Sequence, residues 1–211
     1  MQNKLKKGFE HLKSDRVMKF LIDRFKNKID WTNRYNPNSA LSIANIIIEQ
    51  QISFKAAITV KKRFYQLTKN KSNSEIIKMS TNKIQSIGIS FRKVEYIKNV
   101  FKFFSQSQIN FEKMDDKDVI KSLISIKGVG EWTAQMFLIF NLYRTDVFSQ
   151  KDLALINSIK KNYSLSTVNK EVIKQLTTKW SPFNSIASLL LWESIENQIF
   201  YSKFRHTISL K

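Results

Sequence analysis

Two short stretches hold residues whose types and spacing could do chemistry. In Lys127-Gly128-Val129-Gly130, two of the chain's four glycines stand two positions apart. Glycine lets a backbone turn through positive φ and lets another backbone approach closely. An apolar lead-in ends at Ile126 and a helix-forming run begins near Glu131, so the turn reads as a hairpin between two helices. Amides at the start of the second helix, reinforced by its dipole, favour a phosphate, and Lys127 adds charge at the tip. A plain helix C-cap followed by an ordinary turn would use the same residues. Asp152 lies twenty-two positions beyond Gly130, immediately before Leu153-Ala154-Leu155. Locally it is a good helix N-cap, and any larger role depends on the rest of the chain.

The elements that must position these residues are helical. Apolar residues recur at helical spacing nearly throughout, period-two alternation is almost absent, and only two prolines interrupt 211 residues, so the class is all-α. Val17, Phe20, Leu21 and Phe25 share one helical face. LSIANIIIEQQ (41–51) reads as a mostly buried helix. Ser53 caps the next, where Phe54, Ala57, Ile58, Phe64 and Leu67 suit burial. Short helices around Ile76 and Ile84 stop at Gly88, and Ser90 caps SFRKVEYIKNVFKFF (90–104). MDDKDVIKSLISI (114–126) places acidic residues at a helix start, and that helix runs to Ile126. EWTAQMFLIFNLY (131–143), DLALINSIKKNY (152–163), a linking helix from about Val168 to Trp180, and SIASLLLWESIENQIF (185–200) complete the set.

Lys and Arg number 36 against 17 Asp and Glu, a formal charge of +19. Such a balance attracts phosphate backbones or anionic surfaces, although a chain rich in Lys, Asn and Ile also reflects an AT-rich genome. With no cysteine and two histidines, disulfides, thiolate zinc sites and iron–sulfur clusters are excluded. The N-terminus lacks an apolar signal core and no stretch of 18 apolar residues occurs. The expectation is a soluble, cytoplasmic, nucleoid-associated monomer that does not engage membranes.

Ile126, Gly128, Val129, Gly130, Thr133 and Ala134 resemble the helix-hairpin-helix motif, a clamp for duplex DNA. With one apolar helix after the hairpin, then Asp-Val-Phe, then Asp152 before Leu-Ala-Leu, the pattern resembles the helix-hairpin-helix DNA glycosylase superfamily. Within it the chain is similar to the 3-methyladenine DNA glycosylases of the alkylation-repair class. HLKSDRVMKFLI (11–22) resembles the family's opening helix, and IIIEQQISFKAA (46–57) its Gln-Gln segment. IQSIGISFRKVEYIKN (84–99) resembles its Gly-apolar-Ser and Arg-Lys helix, and WSPFNSIASLLLW (180–192) its closing Trp-x-Pro segment.

The resemblance implies a single compact domain over residues 1–211, made of two helical lobes with the active-site cleft between them. It also implies a monofunctional enzyme that flips alkylated purines out of damaged double-stranded DNA and hydrolyses the glycosidic bond in base excision repair. Asp152 would be the essential carboxylate, stabilising the oxocarbenium-like sugar and orienting or deprotonating water. Trp132 stands where lyase-competent relatives carry a nucleophilic lysine, which implies no lyase step. Trp132, Met136 and Trp192 would line the base pocket, since indole faces attract a cationic alkylated purine. Gln51, assisted by Gln50, would enter the gap left by the flipped nucleotide. Lys127, Gly128, Gly130 and Thr133 would hold a phosphate. The carbonyls of Ile124, Ile126 and Val129 would hold a structural sodium or potassium ion, with no cofactor required.

The loop TDVFSQK (145–151) departs from the family pattern, having neither the Gly nor the Pro of that segment, and Lys151 sits beside Asp152. Two other readings therefore stand: a non-catalytic lesion-binding protein of the same fold, and a glycosylase for deaminated or oxidised bases.

Overall fold

The computed structural model describes residues 2–107 and 109–202, except for the side chain of Phe54, whose expected burial lies outside the described residues. In chain order the helices are α1 (Gln2–Leu12), α2 (Arg16–Phe25), α3 (Ser39–Glu49), α4 (Phe54–Thr68), α5 (Asn73–Lys78), α6 (Thr81–Gln85) and α7 (Phe91–Gln106). A 3-10 turn (Phe111–Lys113) precedes α8 (Asp116–Ile124) and α9 (Glu131–Phe140), and α10 (Leu153–Asn162), α11 (Lys170–Trp180) and α12 (Asn184–Glu196) follow. No strand occurs among the described residues.

Local chemistry explains most boundaries. The helices α2 to α8, α10 and α11 each start behind an Asp, Asn or Ser whose side chain accepts a hydrogen bond from a first-turn amide. Such caps satisfy backbone donors that a helix start leaves over. One cap corrects the expectation of a single opening helix: Asp15 accepts from Val17 and Met18 amides, so the segment 11–22 is the end of α1 and the start of α2. Similarly, α8 stops at Ile124, two residues before the expected Ile126, because Ser125 already begins the turn.

The helices divide into two units, Met1–Asn33 with Tyr143–Lys211, and Arg34–Leu142. In the first, α12 is the central element, touching α1, α2, α10 and α11. Its residues from Asn184 to Leu191 are all buried, the pattern of a helix enclosed on every side rather than an amphipathic one. A buried polar cluster fixes α10 against it. The hydroxyls of Ser158 and Ser194 lie 2.6 Å apart, Ser158 Oγ is 2.9 Å from the Leu191 carbonyl, and the Asn162 amide donates to Ser158 O at 3.0 Å. Groups so deeply buried are tolerable because they satisfy one another. Tyr163 extends the link, its hydroxyl donating to Asp15 Oδ2 at 2.8 Å, and burial pushes its phenol pKa well above the usual value.

In the second unit, α7 packs on α3, α5 and α6, and α9 packs on α3 and α8. Buried side chains of α3 (Ile43, Ala44, Ile47) and α9 (Ala134, Phe137, Leu138) form its core. The α4 helix corrects one expectation. Ala57, Val60 and Phe64 face inward, whereas Ile58 is 51% exposed. Burial at 57, 60 and 64 follows one stripe of the helix, and position 58 lies a 100° step off it.

Candidate functional site

Asp152 sits in the first unit as the N-cap of α10. Its Oδ1 accepts from the Leu155 amide at 3.0 Å, and the Trp192 indole N–H approaches the same oxygen at 3.5 Å. The residue is only 8% exposed. A carboxylate with so little access to water acts more strongly on a neighbouring charge than one in solvent. Beside it Leu153, the first residue of α10, is 74% exposed. The fold thus brings together two of the expected site residues, Asp152 and the half-buried Trp192, on helices locked by the Ser158–Asn162–Ser194 cluster.

The segment before Asp152 obtains its shape without Gly or Pro. Asp146 accepts from the Ser181 hydroxyl at 2.7 Å and from the Asn184 side-chain amide at 2.6 Å, and lies 3.4 Å from the Asn184 backbone N–H at the start of α12. Val147 N–H donates to Ser185 Oγ at 3.0 Å, and Ser185 N–H to Thr145 O at 2.9 Å. Phe148 packs its ring on Trp180. Asp146 and Ser185 were not foreseen as site-forming residues. Their partners are more than thirty positions away in sequence, and no local pattern announces such a pair.

The hairpin lies in the second unit. Gly128 has φ +102°, and a Cβ placed there would overlap the Tyr96 ring. Its glycine is therefore required twice over, by backbone conformation and by close packing of α7. Gly130 is different. Its φ is −98°, which any residue adopts, and nothing lies within 4 Å of a Cβ built on it. It also gives the first turn of α9 no side-chain cap. Lys127, 74% exposed, pairs with Glu95 at 2.7 Å, and that hydrogen bond raises its pKa. The Asn99 side chain donates to Lys127 O at 3.3 Å.

Thr133 is buried, and its Oγ1 accepts from Gln50 Nε2 at 2.9 Å. Gln50 thus faces the protein, while Gln51 is exposed with φ +57°. Trp132 is half-buried, and Met136, one turn further along α9, is buried. Of the three hairpin carbonyls, that of Ile126 already accepts the Val129 N–H at 2.9 Å. A cation there would share this oxygen, which a carbonyl with two lone pairs permits. No cluster of three His, Cys, Asp or Glu suited to a metal occurs among the described residues. Nor is any helix among them long and apolar enough to cross a membrane.

Residues 44–182 match the family model described as HhH-GPD superfamily base excision DNA repair protein. A Bacillus subtilis (strain 168) relative, YfjP, provisionally named as a DNA-3-methyladenine glycosylase, is 31% identical over 162 residues, covering 71% of this chain and 56% of the relative. DNA-3-methyladenine glycosylase 1 of Schizosaccharomyces pombe is 26% identical over 189 residues, covering 82% of this chain and 83% of the relative. The chain therefore spans little more than half the length of the first relative and most of the second. A solved structure of the Schizosaccharomyces pombe 3-methyladenine DNA glycosylase Mag1, in complex with abasic DNA, superposes with a TM-score of 0.83 at 26% identity. It covers 90% of this chain and 97% of that one.

Proposed function

Since the chain belongs to the HhH-GPD superfamily of base excision DNA repair proteins, we propose that it is a monofunctional DNA glycosylase releasing alkylated purines of the 3-methyladenine and 7-methylguanine type. The observation that carries this reading is Asp152, a nearly buried carboxylate at a helix start with the Trp192 indole beside it. Breaking the bond from C1′ to the base sends the bonding electrons to the purine, and an alkylated purine that was cationic leaves neutral. Positive charge then develops on the sugar, where Asp152 stabilises it and takes a proton from the water that adds to C1′. The base is already a good leaving group, so no second acid is needed.

Trp192 supplies an indole face for a flipped cationic base, and Trp132, with Met136 one turn along α9, is the base-contacting pair assigned to the second unit. An indole cannot form a Schiff base with the sugar, which supports release without strand cleavage. Gln51 is the wedge and Gln50 its support. Gly130, open at its Cα and followed by α9, receives a phosphate of double-stranded DNA together with Gly128, Lys127 and the Thr133 turn. The carbonyls of Ile124, Ile126 and Val129 hold a sodium or potassium ion whose role is structural. The enzyme works as a cytoplasmic monomer.

The test is to incubate the protein with duplexes carrying one 7-methylguanine, a 3-methyladenine analogue, hypoxanthine, uracil or 8-oxoguanine, then cleave abasic products with alkali. Release from the first two is expected. Binding without any abasic product would instead identify a lesion sensor, and release only of hypoxanthine, uracil or 8-oxoguanine would move the substrate class. Covalent trapping by borohydride would contradict the monofunctional assignment.

A further inference from the structure

The turn that carries Gln51 is held far more tightly than an exposed loop requires. Helix α3 ends at Glu49, and a helix end leaves several carbonyls without partners. Lys93 of α7 supplies them, its ammonium donating to Ile48 O at 2.9 Å and to Gln50 O at 2.5 Å. A cation at that end also suits the helix dipole. Gln50 is fixed from a third helix by its hydrogen bond to Thr133 on α9. Glu49 completes the arrangement, paired with both Arg34 and Lys61, while the Arg34 guanidinium stacks 4.2 Å over the Phe140 ring. Burial and the nearby Arg34 push the Lys61 ammonium down to about 8.

Residues 48 to 50 are thus pinned from α4, α7 and α9, and the next residue, Gln51, is exposed in the left-handed region that non-glycine residues seldom occupy. Contacts so numerous are more than a turn needs to stay folded, but they are what a side chain needs if it is to enter a base stack without being ordered at that moment. Filling the gap favours a flipped nucleotide only by what remains after the ordering cost. Resting on the glycosylase reading above, we infer that Lys93 is the positioning residue of a preformed wedge, holding the turn at residues 48–51 so that Gln51 meets the duplex in its inserted conformation.

Single-turnover base release from a 7-methylguanine duplex, read beside the emission of a fluorescent adenine analogue next to the lesion, tests this in the full chain. Lys93→Met should lose about tenfold in rate, on the scale of one charged hydrogen-bond site, with a reduced unstacking signal and unchanged salt-dependent binding. In a Gln51→Ala background the same substitution should cost less than about twofold, because residues acting as one unit are not additive. Lys93→Gln, which keeps a donor for one carbonyl, should fall between and serves if Lys93→Met does not fold. Wild-type rate and emission in both Lys93 variants would overturn the inference, as would a loss that persists in full without Gln51. If the wild-type chain itself neither released a base nor unstacked the analogue, the glycosylase reading would fail and this inference with it. Activity in the wild type with indifference to Lys93 would remove this inference alone.

Discussion

The starts of α9 and α10 invert each other's chemistry. At α9 the cap is Gly130, with no side chain, no steric constraint and open space beyond Cα. At α10 the cap is Asp152, whose carboxylate is buried and already bonded to the Leu155 amide. An uncapped helix start offers partial positive charge to an outside anion. A capped one has met one of its own amides and presents a carboxylate, a group suited to something cationic. On the proposed function, the first of these helix starts would take a phosphate and the second would face a developing positive sugar.

The largest expected effect separates the capping by Asp152 from its proposed catalytic duty. Asn caps a helix as well as Asp, so Asp152→Asn should fold within about 0.5 kcal/mol of wild type while base release falls by at least ~10² to 10³, the usual cost of one preorganised electrostatic group. Asp152→Ala should lose the same activity and about 1 kcal/mol of stability besides. Thermal melts beside single-turnover assays check both. An Asp152→Asn enzyme that released alkylated bases at nearly the wild-type rate would reduce Asp152 to a cap.

Asp152 as a cap and Asp152 as a proposed catalytic group differ in what could be read from residues alone. The caps were legible because they are local: Ser53, Ser90 and Asp152 each bond an amide three residues on. Helical spacing gave the class and most boundaries for the same reason. It misplaced Ile58, an apolar residue on an outward face, while the single helix over residues 11–22 came from the family resemblance and is broken at Asp15. Everything resting on distant pairs was invisible. The absence of Gly and Pro in residues 145–151 suggested an uncertain loop, whereas Asp146 and Ser185 settle its shape through partners 35 to 38 positions away. Lys127 was expected to add charge at the hairpin tip, and its pairing with Glu95 depends on α7 passing beside the hairpin.

The two hairpin glycines sharpen the contrast at a smaller scale. Gly128→Ala forces a Cβ into the Tyr96 ring at a left-handed φ, so a loss of roughly 2 to 4 kcal/mol is expected in denaturant unfolding. Gly130→Ala meets neither obstacle and should unfold as wild type does, within about 0.5 kcal/mol. Its effect should appear only in DNA binding, weakened by up to about tenfold where a phosphate must approach the backbone closely. If Gly130→Ala bound duplex DNA as tightly as wild type, the α9 start would be an ordinary turn and the contrast with Asp152 would lose one of its halves.

The smallest effects concern Lys127, which pairs with Glu95 and which the proposed function also assigns to a phosphate. An exposed ion pair of this kind adds little to stability, so exchanging one anion for the other is cheap. Lys127→Ala should leave the melting temperature nearly unchanged and make the slope of log affinity against log salt shallower by about 0.9, the value of one phosphate contact on duplex DNA. Glu95→Gln works from the other side. It keeps the length of the side chain and removes the competing charge, so affinity should rise slightly, by about twofold at low salt, with the slope unchanged because the contact itself is the same. A lower affinity in Glu95→Gln would mean that Glu95 orients Lys127 rather than competing for it, and the hairpin tip would then be as preorganised as the carboxylate at α10.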